Sequence, residues 1–261
     1  MTSVELSFQK TGDDSSPPLL IMHGLFGSGR NWNGLARKFA EQFCVYTLDL
    51  RNHGGSPHSS EMDYPNMALD VAAFMDKMGL DKATILAHSM GGKAAMWLAL
   101  TQPEKVERLV AVDIAPVHYD HSFSGIIQGL KSIPLESVGS RKEADNYLSK
   151  VLTEVGLRQF LLQNLNIQNG QRSWRVNLEV IEQSIDKILA FPDTDEARAY
   201  LKPVLFVGGG QSDYILPEHL PVIEALFPQA KIETIFNAGH WLHAEQPVKF
   251  VEIVMRFLSE K

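Results

Sequence analysis

Cysteine is almost missing from this chain. Cys44 is the single one in 261 residues, so no internal disulfide framework can exist. Its place in the apolar run Phe43–Leu50 marks it as a reduced core residue. Long apolar runs are missing too: nothing approaches the ~18 residues of a membrane helix. The opening Met1-Thr2-Ser3-Val4-Glu5-Leu6 has neither a basic nor a long apolar stretch, so no export signal is expected. Basic charge is scarce, with 24 Lys and Arg against 31 Asp and Glu and a net charge of -7. That balance argues against nucleic acid, which is held by a basic surface. Neither G-x-x-x-x-G-K-[ST] nor G-x-G-x-x-G occurs, which removes the usual nucleotide cradles. His118 with His121, and His240 with His243, are three apart but lack a neighbouring acidic or cysteine cluster; no metal and no cofactor are expected. Repeats and low-complexity tracts are absent, and Asp13-Asp14-Ser15-Ser16-Pro17-Pro18 is an ordinary loop. The expectation is a soluble, cytoplasmic globular protein with a small-molecule partner, no membrane association and an oligomeric state the sequence leaves open.

What the chain has in quantity is apolar residues, 44% of the total, enough for a large core. Short apolar runs at Leu19–Met22, Val45–Leu50, Ala83–Ala87, Leu109–Ile114, Val204–Val207 and Ile232–Phe236 suggest buried parallel strands, with Val4–Phe8 as an edge strand before them. Helical patterns alternate with these runs. Met67, Val71, Phe74, Met75 and Met78 share one face between Pro65 and Gly79, and Val251, Val254, Met255 and Leu258 share another behind Pro247. The alternation predicts an α/β fold: a mostly parallel central sheet with helices on both faces. It breaks once, from about Val117 to Tyr200, where several helices and no strand are expected. A structureless loop of that length is improbable. The segment 117–200 is therefore expected to be a helical cap inserted between core segments 1–116 and 201–261.

Ligands of such sheets bind at the carboxyl ends of the strands. There the run Thr84-Ile85-Leu86-Ala87 meets His88-Ser89-Met90-Gly91-Gly92-Lys93. A serine between a strand and a helix, with small residues two positions away on each side, is the pattern of a strained nucleophile elbow. Ala87 replaces the usual first glycine and keeps the position small. A serine hydroxyl needs a base, and His240 in Asn237-Ala238-Gly239-His240-Trp241 follows the final strand. His88 is adjacent to Ser89, but strand alternation turns it to the other face; His23 is expected to prop the loop after the first central strand, and His53, His58 and His219 to lie in loops or at the surface. Two aspartates can orient the imidazole. Asp113 ends Val110-Ala111-Val112, and Asp213 follows the next strand; both keep the order Ser…Asp…His, and spacing alone does not choose between them. His23-Gly24-Leu25-Phe26-Gly27-Ser28-Gly29 can turn a backbone N–H toward Ser89. An oxyanion hole from Met90 and Leu25 is expected, with Phe26 as the alternative to Leu25.

Five segments carry a resemblance that spans nearly the whole chain: His23-Gly24-Leu25-Phe26-Gly27-Ser28, Leu48-Asp49-Leu50-Arg51-Asn52-His53-Gly54, Ala87-His88-Ser89-Met90-Gly91-Gly92-Lys93, Val112-Asp113-Ile114-Ala115-Pro116 and Ala238-Gly239-His240-Trp241. The chain resembles the α/β-hydrolases, and among them the bacterial YbfF-type esterases. The resemblance implies a triad of Ser89, Asp113 and His240, because in that group the acid comes from the earlier strand; the wider superfamily places it where Asp213 stands. It implies a serine hydrolase that cleaves carboxylic esters of short to medium acyl chains through an acyl-enzyme, with structural roles for Asp49 and Arg51. Acyl thioesters or C–C bonds would use the same triad, and a ligand sensor would keep the fold without turnover. His23, Phe26, Trp174 and Trp241 are expected around the substrate, with Phe123, Ile126, Leu130 and Leu161 beneath the cap.

Overall fold

The computed structural model of the chain describes residues 2–168, 170–194 and 198–260. Its strands are β1 (Phe8–Thr11), β2 (Pro18–Met22), β3 (Cys44–Leu48), β4 (Ala83–His88), β5 (Val106–Val112), β6 (Leu165–Gln168), β7 (Gln171–Trp174), β8 (Val204–Gly209) and β9 (Ala230–Ile235). The helices are α1 (Asn33–Phe39), α2 (Tyr64–Met78), α3 (Met90–Thr101), α4 (Ser124–Lys131), α5 (Arg141–Leu148), α6 (Val155–Leu161), α7 (Leu178–Leu189), α8 (Leu220–Leu226), α9 (Leu242–Glu245) and α10 (Pro247–Leu258). Seven strands form one sheet in the order β1-β3-β2-β4-β5-β8-β9. All its pairings are parallel except that of β1 with β3.

Strand alternation builds two cores. Leu20, Met22, Ile85, Ala87, Leu109, Ala111 and Phe206 point to one face, where α2 and α3 pack. Leu19, Ile21, Leu86, Val110, Val112, Leu205 and Val207 point to the other, against α1 and α10. Every residue of β4 is buried, which is why its sequence shows no polar alternation. Helix α2 starts at Asp63, whose carboxylate accepts from the Asn66 N–H at 2.9 Å. It stops at Gly79, whose φ of 68° continues no helix.

Four features depart from expectation. The edge strand is Phe8–Thr11, not Val4–Phe8, because backbone N–H groups before it bond to side chains instead of a strand: the Val4 N–H donates to Asp70 of α2 and the Ser7 N–H to Ser56. Helix α10 buries Phe250, Ile253, Val254 and Phe257, a stripe beside the one expected; of the expected four only Val254 is buried, while Val251, Met255 and Leu258 sit at its margin. Truncating Phe250 to Ala would cost about 3–5 kcal/mol. The segment 117–200 holds α4 to α7 and also an antiparallel hairpin, β6 with β7, so it is not purely helical. Asn-Gly at positions 169–170 was the available signal for that hairpin. Finally, His53, expected in a loop or at the surface, lies in the loop between β3 and α2 but is fully buried.

Candidate active site

The turn from β4 into α3 carries Ser89 with φ 51° and ψ -121°, a conformation that side chains other than glycine rarely adopt. Its N–H donates to the Val112 carbonyl at 2.9 Å, and its carbonyl accepts from Lys93 N–H at 3.1 Å. Crowding explains the small residues around it. A Cβ on Gly91 would stand 2.5 Å from the His23 carbonyl oxygen, and one on Gly92 2.5 Å from Ile114. Phe26, Asn52, Ser89 and Asp113 are the non-glycine residues with positive φ among the described residues. Three of them converge here, and the fourth precedes His53; strain is concentrated where the backbone is most constrained.

His240, between β9 and α9, reaches Ser89 with its Nε2, 3.1 Å from Oγ. Its Nδ1 stands 2.8 Å from Oδ2 of Asp113. Asp113 directly follows β5, the neighbour of β4, and is fully buried. Its Oδ1 accepts from the Gly209 N–H at 2.8 Å and its Oδ2 from the Ser212 hydroxyl at 2.5 Å. Asp213 is brought elsewhere: its side chain is 69% exposed and its Oδ2 lies 3.2 Å from Nε2 of His121. The Tyr214 ring stacks on His240 with centroids 4.0 Å apart. His88, buried under Ser89, donates from Nε2 to the His240 carbonyl at 2.9 Å and so fixes the loop that carries the imidazole. Burial and the nearby His240 hold His88 well below the usual imidazole range.

The loop after β2 is clamped by two histidines. His23 donates from Nδ1 to the Gly24 carbonyl at 2.8 Å and accepts at Nε2 from the Leu50 N–H at 2.9 Å. His53 accepts at Nε2 from the Phe26 N–H at 3.2 Å, its Nδ1 donating to the Arg51 carbonyl. Burial pushes His23 down to about 4 and His53 to about 3, so both stay neutral. The Phe26 N–H is therefore spent on His53. Among the described residues the N–H groups of Leu25 and Met90 have no hydrogen-bond partner. The bulk of the loop matters as well: a Cβ on Gly24 would meet His88 Nδ1 at 2.8 Å and Ser89 Cβ at 3.1 Å.

Ser89 and His240 open into a cavity of about 210 Å³, walled by Leu25, Phe26, Phe123, Ile126, Phe160 and Trp241. It adjoins an outer hollow of about 490 Å³, which shares Leu157, Phe160 and Trp241 with it. His23 also lines the inner cavity, although both its nitrogens are engaged. Trp174 does not line it. It sits half-buried on β7, packed against the main core. Leu130 and Leu161 are likewise core residues, fully buried away from the lining. Sequence reasoning missed Ser212 and Tyr214, which flank Asp113 and His240 and have no motif of their own. It placed His53 in a loop or at the surface without a role, and burial was the missing knowledge. Arg51, expected to be structural, is buried with Nε 2.6 Å from Asp70. Among the described residues no group of three or more His, Cys, Asp or Glu is arranged to hold a metal. No described helix is long and apolar enough to cross a membrane.

The sequence pattern of the α/β-hydrolase fold matches residues 17–247. The chain belongs to the α/β-hydrolase family. Its relatives include the mouse sn-1-specific diacylglycerol lipase ABHD11, 44% identical over 95% of this chain and 83% of that one. Another is the esterase YbfF of Escherichia coli, 35% identical over 94% of each. Among solved structures, a marine microorganism esterase superposes with a TM-score of 0.94 at 42% identity, covering 98% of this α/β-hydrolase and all of that chain.

Proposed function

We propose that this α/β-hydrolase is a carboxylesterase-type serine hydrolase that cleaves small-molecule carboxylic esters through an acyl-enzyme on Ser89. The observation that carries the reading is the continuous hydrogen-bonded line from Ser89 Oγ through His240 to the buried Asp113, with steps of 3.1 and 2.8 Å. Esterase and lipase relatives at 35–44% identity support the same class of reaction.

In this mechanism the substrate carbonyl enters the inner cavity and Ser89 attacks it while His240 Nε2 takes the hydroxyl proton. Asp113 keeps Nδ1 protonated and stabilises the imidazolium. The developing oxyanion is held by the unpaired N–H groups of Met90 and Leu25; such donors are each worth about 10²–10³ in rate. The alcohol leaves with the proton from His240, and water repeats the sequence on the acyl-enzyme. Segments 1–116 and 201–261 form the catalytic core and 117–200 the cap, a division favoured by Phe123, Ile126 and Phe160 reaching over the cavity from that segment. An apolar inner cavity of about 210 Å³ favours short to medium acyl chains.

The test is hydrolysis of a p-nitrophenyl ester series from acetate to palmitate by the native protein and by Ser89→Ala. Turnover that peaks at short or medium chains and vanishes in Ser89→Ala supports the reading. Undiminished turnover in Ser89→Ala would overturn the nucleophile, and a folded protein inert on every ester would overturn the substrate class.

A further inference from the structure

A second cavity, of about 390 Å³, lies on the other side of the Gly29–Trp32 turn from Ser89. The core contributes Arg30, Thr47 and Asp49 to it; the 117–200 segment contributes Arg141, Gln163 and Arg175. Three guanidinium groups around one cavity are unusual in a chain of net charge -7. None of the three pairs with a carboxylate among the described residues. Arg141 spends Nε and Nη2 on the carbonyls of Leu162 and Leu165, and Arg175 spends Nη2 on Asn166. The Arg30 side chain has no hydrogen-bond partner among the described residues, and the residue is exposed at the cavity's rim.

The acid in the cavity forms an ion pair with none of them. Asp49 uses one oxygen for the Gly29 N–H and the other for the Gly55 N–H, each at 2.7 Å. Thr47, in the wall of the same cavity, is 2% exposed, and its hydroxyl is buried without a hydrogen-bond partner. An unpaired buried hydroxyl is costly unless something bonds to it. Guanidinium donors from two segments around one cavity match a tetrahedral, doubly charged acceptor better than a single planar carboxylate, which one arginine satisfies.

We propose that this cavity is a phosphate-binding site that takes inorganic phosphate or the phosphate of a small monoester. Its occupant bridges the core and the 117–200 segment, next to the Asn31–Gln163 hydrogen bond of 2.8 Å that separates this cavity from the hollow outside Ser89. The site is independent of the ester reading, because no group at Ser89 or His240 takes part in it.

The experiment is calorimetric titration of the full chain with inorganic phosphate and with glycerol 3-phosphate, at constant ionic strength against chloride. Native protein, Ser89→Ala, Arg30→Ala and Thr47→Val are compared. Expected are millimolar or tighter binding in native protein and Ser89→Ala, a loss of about tenfold or more in Arg30→Ala, and a smaller loss in Thr47→Val. Arg30 is exposed and unpaired, so an unchanged melting temperature without phosphate will show that its variant folds. Tighter binding of glycerol 3-phosphate identifies a monoester site; equal or weaker binding identifies free phosphate. Heat no greater than that of chloride, or equal binding by native protein and Arg30→Ala, overturns the proposal.

Discussion

His240 Nδ1 stands 2.8 Å from Asp113, while Asp213, one strand further along the sheet, turns outward to His121. Strand order is the cause: β5 lies against β4, so the end of β5 is already beside Ser89. Asp113→Asn is expected to lower kcat by about 10⁴, as loss of the orienting carboxylate does in serine proteases. Asp213→Asn should change it little. Steady-state kinetics of the pair decides the matter, and the reverse ranking would remove Asp113 from the mechanism.

Gly24→Ala probes the loop that carries Leu25. The new Cβ would lie 2.8 Å from His88 Nδ1 and 3.1 Å from Ser89 Cβ, so the loop must shift away from the serine. A fall in kcat of about 10² is expected, within the range for loss of an oxyanion donor, with KM changed much less. A variant with native kcat would show that this loop's position is not critical.

Acid should unfold this protein through its buried histidines. His23 is held at about 4, and His53 and His243 at about 3, all by burial, against 6.5 for the free side chain. The unfolded chain therefore binds more protons between pH 6.5 and those values. Stability is full above about 6.5 and is lost as pH falls toward 4 and 3, with a slope of up to about 1.4 kcal/mol per pH unit for each histidine. Urea unfolding from pH 7 to 4 should show a shallower decline in His53→Gln than in the native chain. Parallel declines would mean that His53 does not titrate on unfolding.

Lys93 is buried on α3 and donates to the carbonyls of Val117 and Leu189, each at 2.7 Å, and of Ala190 at 2.8 Å. Burial pushes its ammonium down to about 7. These carbonyls lie near the two ends of the 117–200 segment, so one side chain ties both to the core. Lys93→Met leaves three acceptors unpaired and is expected to destabilise the fold by about 1–3 kcal/mol, read from the urea midpoint. Equal stability would show that the carbonyls find other partners.

Much of this was legible in the sequence because it is local. Six strands of the sheet stood out as apolar runs, five of them buried and the sixth, β9, a largely exposed edge strand, and Ser89, His240 and the glycine loop sat at strand ends where ligands bind. The hairpin β6–β7 was not legible, since two four-residue strands in a helical segment leave little periodic signal beyond Asn-Gly. The stripe on α10 was misread because two adjacent apolar stripes fit the same period, and only packing against the sheet selects one.

By itself the sequence determined the α/β alternation, the strained serine turn and the residue types able to do acyl-transfer chemistry, since these follow from local sterics and hydrophobic period. The tertiary structure decided what depends on neighbours distant in the chain. It set Asp113 rather than Asp213 beside His240, engaged the Phe26 N–H with His53, moved Trp174 off the cavity and drew three arginines around another. The physical reason is that hydrogen-bond partners and burial are fixed by strand order and by how the inserted segment lies on the core, which no local pattern encodes.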